Sequence, residues 1–360
     1  MVGTTGNAQQ RLRAVAAAPN AARLLSRCKP ALSALIMSAV VASASMFIQV
    51  SHAYAQDVKA NLNHEMTGTV VDEAVQRMAR NIAEKTDGRI DITVHSRGEM
   101  GGERAMFDLM QGGAIELGIS GAAIISAVAP EFGVLDTPYL IVSPEHLKKV
   151  VEGEVGDEIR KTVLDKKGIR ILGWMDRPPR HVTTKDRMVR KPQDMAGMKI
   201  RVREIPVQVE AFRMLGASPV PMAFGEVYTA LQTGVIDAQE NPLGITLGSS
   251  FNEVQDHVIL TGHVREVQWL IASDSWWQKL SDKDRAVITE AAAEALQWGQ
   301  NKVYAQDAAH LKEAKARGMK VVELSAAELK AFQDGLADLP KRFADVWKDG
   351  LFDRIAKAGE

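Results

Sequence analysis

Between Ser281 and Gly318 nothing interrupts a helical pattern: the stretch holds no proline, and its one internal glycine, Gly299, is of the kind a long helix tolerates. Ser281 and Asp284 stand at the spacing of a capping box. Roughly 35 residues at about 1.5 Å each make a rod on the order of 50 Å, longer than a single lobe is wide. Such a helix has to bridge two bodies. The rest of the chain agrees, because about 300 residues exceed what one hydrophobic core comfortably holds.

The first 55 residues read as a leader. Arg11, Arg13, Arg23, Arg27 and Lys29 form a basic region with no acidic residue, an apolar run follows from Ala31 to Val50, and Ala53-Tyr54-Ala55 has the small-x-small form of a cleavage site. Export with cleavage near Ala55 is expected; Met46-Phe47-Ile48 keeps a retained membrane anchor as the alternative. Cys28, the one cysteine, lies in this leader, so residues 56–360 have no disulfide, no cysteine-held metal and no thiol nucleophile. A formal net charge of −1 with mixed signs argues against nucleic acid as a partner.

Strand and helix signals then alternate. A strand at Asp57–Leu62 exits into Asn63-His64-Glu65, a helix runs from Thr69 to Lys85, and Ile90–Val94 alternates cleanly. The glycine-rich loop Gly98–Gly102 lacks both the Gly-Lys-Ser/Thr ending and the Gly-x-Gly-x-x-Gly spacing of a phosphate loop. One helix is expected from Ser143 to Gly168, and long strands at Val258–Thr261 and Val264–Ser273. An internal echo supports two similar halves. Residues 109–116 (Leu-Met-Gln-Gly-Gly-Ala-Ile-Glu) parallel residues 230–237 (Ala-Leu-Gln-Thr-Gly-Val-Ile-Asp), an offset that sets Ser120 opposite Asn241 at the outgoing ends of their strands.

The segment from Arg180 to Pro242 carries the candidate chemistry. Lys199, Arg201 and Arg203 alternate, which on its own describes the wet face of an edge strand. Arg201, however, stands at a strand's carboxyl end just ahead of a helix opened by Pro206, where open α/β sheets bind ligands. A guanidinium fork there suits a carboxylate better than an ammonium does. Arg180 follows Pro178-Pro179 at the expected crossing between halves and reads equally as a surface arginine. Asn241 precedes Pro242, which biases it to extended geometry with its amide free, or else it is a turn residue.

At this point the sequence resembles a known family. Pro192-x-Asp194-Met195-x-Gly197-Met198-Lys199-Ile200-Arg201-Val202, Gly216-Ala217-x-Pro219-Val220-Pro221-Met222, Glu226 to Gln232 followed by Gly234, and Asp237-x-Gln239-Glu240-Asn241-Pro242 are similar, in order and spacing, to substrate-binding subunits of tripartite ATP-independent periplasmic (TRAP) transporters. Pro130-Glu131-Phe132 and Leu135-x-x-Pro138-Tyr139 extend the likeness over the whole mature chain. The resemblance implies an α/β fold of two lobes, type II-like, with a ligand cleft between them. It implies a periplasmic protein that binds a small organic acid, a dicarboxylate among the options, and delivers it to sodium-driven membrane permease subunits. It implies ligand contact by Arg201 and by a second arginine at the crossing, Arg180, with Asn241 beside them.

The expected lobes are 56–177 with 266–305, and 178–265 with 306–360. Ser120, Trp174, Phe224, Tyr228, His64 and Trp269 are candidates for the remaining wall: Trp174 and Phe224 to stack, Tyr228 to donate, His64 or Trp269 to close the cleft. Ser120 is small where some acid-sugar binders carry a carboxylate, which counts against a sialic-acid-type ligand. No Gly-x-Ser-x-Gly, His-Glu-x-x-His or paired metal spacing appears, so neither catalysis nor a cofactor is expected. The alternatives are a binding protein that serves a sensor kinase, or an enzyme on the same scaffold using a pair such as Glu240 and His181.

Overall fold

Two sheets divide the strands almost as two copies of one plan. The computed structural model describes residues 57–66 and 69–359; the leader and the cleavage site expected near Ala55 lie outside them. Among the described residues the strands are β1 Val58–Asn63, β2 Ile90–His95, β3 Leu117–Ser120, β4 Ile169–Arg177, β5 His181–Thr184, β6 Lys199–Val202, β7 Ser218–Pro221, β8 Ala238–Asn241, β9 His257–Ile259, β10 Glu266–Ser273 and β11 Lys320–Val322. One sheet runs β2-β1-β3-β10-β4, the other β7-β6-β8-β5-β9-β11. In the first, β1 lies parallel to β2 and β3, and β3 is antiparallel to β10, which is antiparallel to β4. In the second, β6 lies parallel to β7 and β8, and β8 is antiparallel to β5, which is antiparallel to β9. The echo in the sequence is an echo in topology. With helices packed on these sheets, the fold is the expected two-lobed α/β one.

The chain crosses from the first sheet to the second at 178–180 and returns at 260–265. The crossings touch, since the Arg180 N–H donates to the Val264 carbonyl at 2.8 Å. Pro178 and Pro179 have no N–H to offer a ladder, which ends β4 cleanly.

The long helix spans Asp282–Ala316, capped by the Ser281 side chain accepting from the Asp284 N–H at 3.2 Å. Asp284's carboxylate turns away to pair with Arg89. Ile288, Ala291, Ala292, Ala295, Leu296 and Val303 pack into the core of the first sheet, whereas Ala314 packs with Leu243, Leu247, Val258 and Met319 beside the second. The rod does bridge. Gly299 is required at its position: a Cβ there would stand 2.8 Å from Met175 Sδ and 3.2 Å from Ala74 Cβ. The helix seats on β4 and on the helix Val70–Lys85 only because that side chain is missing.

Two local expectations need correction. The single helix expected after Ser143 is two, Pro144–Glu152 and Glu154–Lys167, split by Gly153 in extended backbone. The close turn needs Gly156 as well, because its Cβ would fall 1.7 Å from the Val151 carbonyl oxygen. The returning strands are also shorter than their patterns: β9 and β10 leave 260–265 outside either sheet, where the crossing bends.

Candidate functional site

A cleft of about 350 Å³ opens beside the ends of β1 and β4 of one sheet and of β6 and β8 of the other. Arg180, Arg201, Asn241 and Phe224 all line it, together with Arg177, Arg203, Glu65 and Glu103, which sequence reasoning did not single out.

Arg201 is buried because β6 is an interior strand, between β7 and β8, rather than the edge its alternation suggested. Its guanidinium lies 5.9 Å from the Phe224 ring centroid. Nε and Nη2 donate to one acceptor, the Met222 carbonyl, at 3.0 and 2.7 Å. Among the described residues it forms no ion pair, and Nη1 has no hydrogen bond. Burial, reinforced by Arg180 and Arg203, lowers its pKa to about 10, so the group is still a cation at neutral pH.

The other buried arginines are committed. Arg180 pairs with Glu240 through Nε and through Nη2 (2.8 Å to Oε1), with Glu266 through Nη1 at 2.9 Å, and with Asn241 Oδ1 through Nη2 at 2.9 Å. Arg177 Nη1 lies 2.6 Å from Glu266 Oε1, and Arg203 holds both Glu266 and Asp136. Burial alone would raise the Glu240 carboxyl, but Arg180 and His263 outweigh it and hold it well below the usual range. Arg180 is therefore first a hub that ties Glu240, Asn241 and Glu266 together beside the crossing. Asn241 is part of the same network, its Nδ2 donating to Gln239 Oε1 at 2.6 Å.

On the opposite side Ser120 is buried, and its hydroxyl donates to Glu103 Oε1 at 3.0 Å, where the Gly121 N–H also donates at 2.7 Å. Ser120 thus orients an acid that lines the cleft. Glu65 accepts the Glu103 N–H on Oε1 at 3.2 Å, and burial together with the neighbouring Glu103 raises its carboxyl to about 7.

Four candidates are placed elsewhere. His64 is 1% exposed, with Nε2 3.2 Å from Asp72 Oδ1, because period-two alternation turns it away from the face that presents Glu65. Trp269 is fully buried within β10, an interior strand between β3 and β4. Its register partner on β4, Trp174, borders a separate depression with Gln300 and Tyr304. Tyr228 donates to Glu253 at 2.8 Å, outside the cleft. Nor do Glu240 and His181 form an acid–base pair: His181 Nδ1 accepts from the Gly262 N–H at 3.1 Å, while Glu240 meets His263 at 3.1 Å.

Comparison with known proteins adds four findings. The family model of bacterial extracellular solute-binding proteins, family 7 (DctP), matches residues 63–345. A solute-binding protein of Roseobacter denitrificans is 36% identical over 285 residues, 78% of this chain and 86% of the relative. Its crystal structure with bound L-galactonate superposes with a TM-score of 0.78 at 33% identity, covering 85% of this chain and 99% of that one. The 2,3-diketo-L-gulonate-binding periplasmic protein of Escherichia coli is 32% identical over 258 residues, 71% of this chain and 77% of the relative. A TRAP solute-binding protein of Sulfurospirillum deleyianum with bound succinate has a TM-score of 0.80 at 25% identity, covering 84% and 99%.

Proposed function

The chain belongs to the bacterial extracellular solute-binding proteins of family 7, the substrate-binding subunits of TRAP transporters and not enzymes, and from that premise we propose that its cleft captures a small organic acid with Arg201 as the carboxylate anchor. Galactonate, diketogulonate and succinate, the ligands named for the relatives, share a carboxylate and little else. One observation carries the reading. Arg177, Arg180 and Arg203 are each paired with protein carboxylates, whereas Arg201, 3% exposed, is a buried arginine of the cleft with no ion pair among the described residues. An uncompensated buried cation costs several kcal/mol, which an arriving carboxylate relieves. Phe224 lies against the anchor, and Asn241 and Arg180 hold the floor behind it.

Work with a membrane permease follows from the family; delivery by a lobe closure is our reading. Strands β1–β4 and β10 against β5–β9 and β11 support lobes of 56–177 with 266–305, and 178–265 with 306–360. Rotation would be absorbed at 178–180 and 260–265, with the long helix bending behind. The family is extracytoplasmic, and the leader supports removal of residues 1–55 on export.

The test is thermal unfolding of ligand-stripped protein against a panel of organic acids. A ligand at about 100 times its Kd adds roughly 2.7 kcal/mol, a shift of several degrees. The expected result is stabilisation by one class of acids that disappears in Arg201→Ala. Unchanged affinity in Arg201→Ala would overturn the anchor.

A further inference from the structure

We infer that Glu65 and Glu103 form a hydroxyl-accepting wall opposite the anchor, which selects a polyhydroxylated monocarboxylate and turns away a second carboxylate. The inference rests on the reading that Arg201 holds the ligand's carboxylate, and it names what the rest of that ligand must be.

Both acids are held on the main chain. Glu65 leaves the end of β1 and meets the glycine-rich loop 98–102, which the nucleotide motifs left unexplained. Asn63 fastens that loop, donating to the Gly101 carbonyl at 2.9 Å and accepting from the Met100 N–H at 3.3 Å. Gly101 takes a φ of +101°, and a Cβ on Gly102 would stand 2.6 Å from Glu65 Oε1. The loop is glycine-rich so that a carboxylate can lie against its backbone. Glu103 is held by Ser120 and Gly121 on Oε1. In each acid Oε2 has no hydrogen bond among the described residues, and both residues line the cleft.

Carboxylate oxygens accept, and a ligand hydroxyl has a proton to donate. A ligand carboxylate brings no donor and a like charge, a rejection built by repulsion as well as by missing bonds. The buried arginines of the cleft are not left to rescue it: Arg201 is taken by the first carboxylate, Arg177 and Arg203 are held by Glu266 and Arg180 by Glu240 and Glu266, and the remaining cation in the lining, Arg104, is exposed to solvent. The two acids are neighbours, the Glu103 N–H donating to Glu65 Oε1 at 3.2 Å; burial, and after it Glu103, pushes the Glu65 carboxyl up to about 7, so the wall carries its full negative charge only above that pH.

The test compares four six-carbon probes by calorimetry on the ligand-stripped protein: gluconate, glucarate, adipate and hexanoate. Gluconate is expected to bind ~100-fold tighter than glucarate or hexanoate. Glu65→Gln, Glu103→Gln and the indirect variant Gly102→Ala, which displaces Glu65, should each compress the gluconate-to-glucarate ratio while Arg201→Ala weakens every probe. Adipate or glucarate binding as tightly as gluconate, through Arg201, would overturn the wall and leave acid capture standing. An unmoved ratio in all three folded variants would overturn it too. If no probe binds and Arg201→Ala changes nothing, acid capture itself fails, and the wall with it.

Discussion

The two strand exits that meet at the cleft come from one plan and carry opposite charge. In the first sheet Asn63 pairs in register with Gly118, two residues before Ser120; in the second, Arg201 pairs with Gln239, two residues before Asn241. Asn63 therefore occupies the place of Arg201, and Glu65 that of Arg203. At the two equivalent ends, Ser120 donates a hydroxyl to an acid, while Asn241 offers an amide oxygen to a guanidinium. The backbone fixes where side chains enter the cleft, and a few side chains at the strand ends decide which charge arrives. Within the basic half the same lesson repeats between Arg180 and Arg201: equally buried, one is saturated by protein carboxylates and one is not.

Substitutions that separate these roles test the contrast most strongly. Arg180→Ala leaves Glu240 and Glu266 short of their partner and is expected to cost about 3–5 kcal/mol, on the order of 10 °C in a ligand-free melt. Arg201→Ala should hold that melt or raise it, since it removes a buried charge without an ion pair and takes a donor only from the Met222 carbonyl. Equal melting losses in both would erase the distinction. Next in size, Arg201→Lys should weaken acid binding by about 10- to 100-fold in calorimetry, because an ammonium cannot present the fork. Ser120→Ala should act on the acidic half alone. Losing one of two bonds that orient Glu103 is worth about 1 kcal/mol, roughly five-fold in affinity for a hydroxylated acid, with Arg201-dependent binding retained.

A pH slope tests the acidic half from another side. Glu65 faces Glu103, Arg201 and Arg177, and its folded carboxyl lies near 7 against an ordinary 4.5. The folded state therefore holds the proton more tightly, and stability from this group is lost as pH rises from about 4.5 to about 7. Urea midpoints should show Glu65→Gln gaining on the parent between pH 5 and pH 8. A constant difference across that range would place the burden on another group.

Much of this was legible from residue patterns because strand exits announce themselves. Arg201 stood out by its place before Pro206, and the echo at 109–116 and 230–237 gave the topology of both halves. What escaped depends on register between distant strands. Whether Trp269, Trp174 or His64 faces the cleft is settled by which side of a sheet each occupies, and a one-residue step reverses it. Tyr228 found Glu253 in a fold of the chain that no periodicity marks. Glu65 had a usable signal: carrying the echo one strand back sets it level with Arg203.

The order of strands in the first sheet has a consequence for how the chain is made. β4 borders only β10, and β10 is inserted between β3 and β4 from residues 266–273, after the whole of β5 to β9. A nascent chain that stops short of residue 266 has no partner for β4 and no cover for the open flank of β3. Neither half can finish early, so closure of both sheets waits on the C-terminal third of the chain.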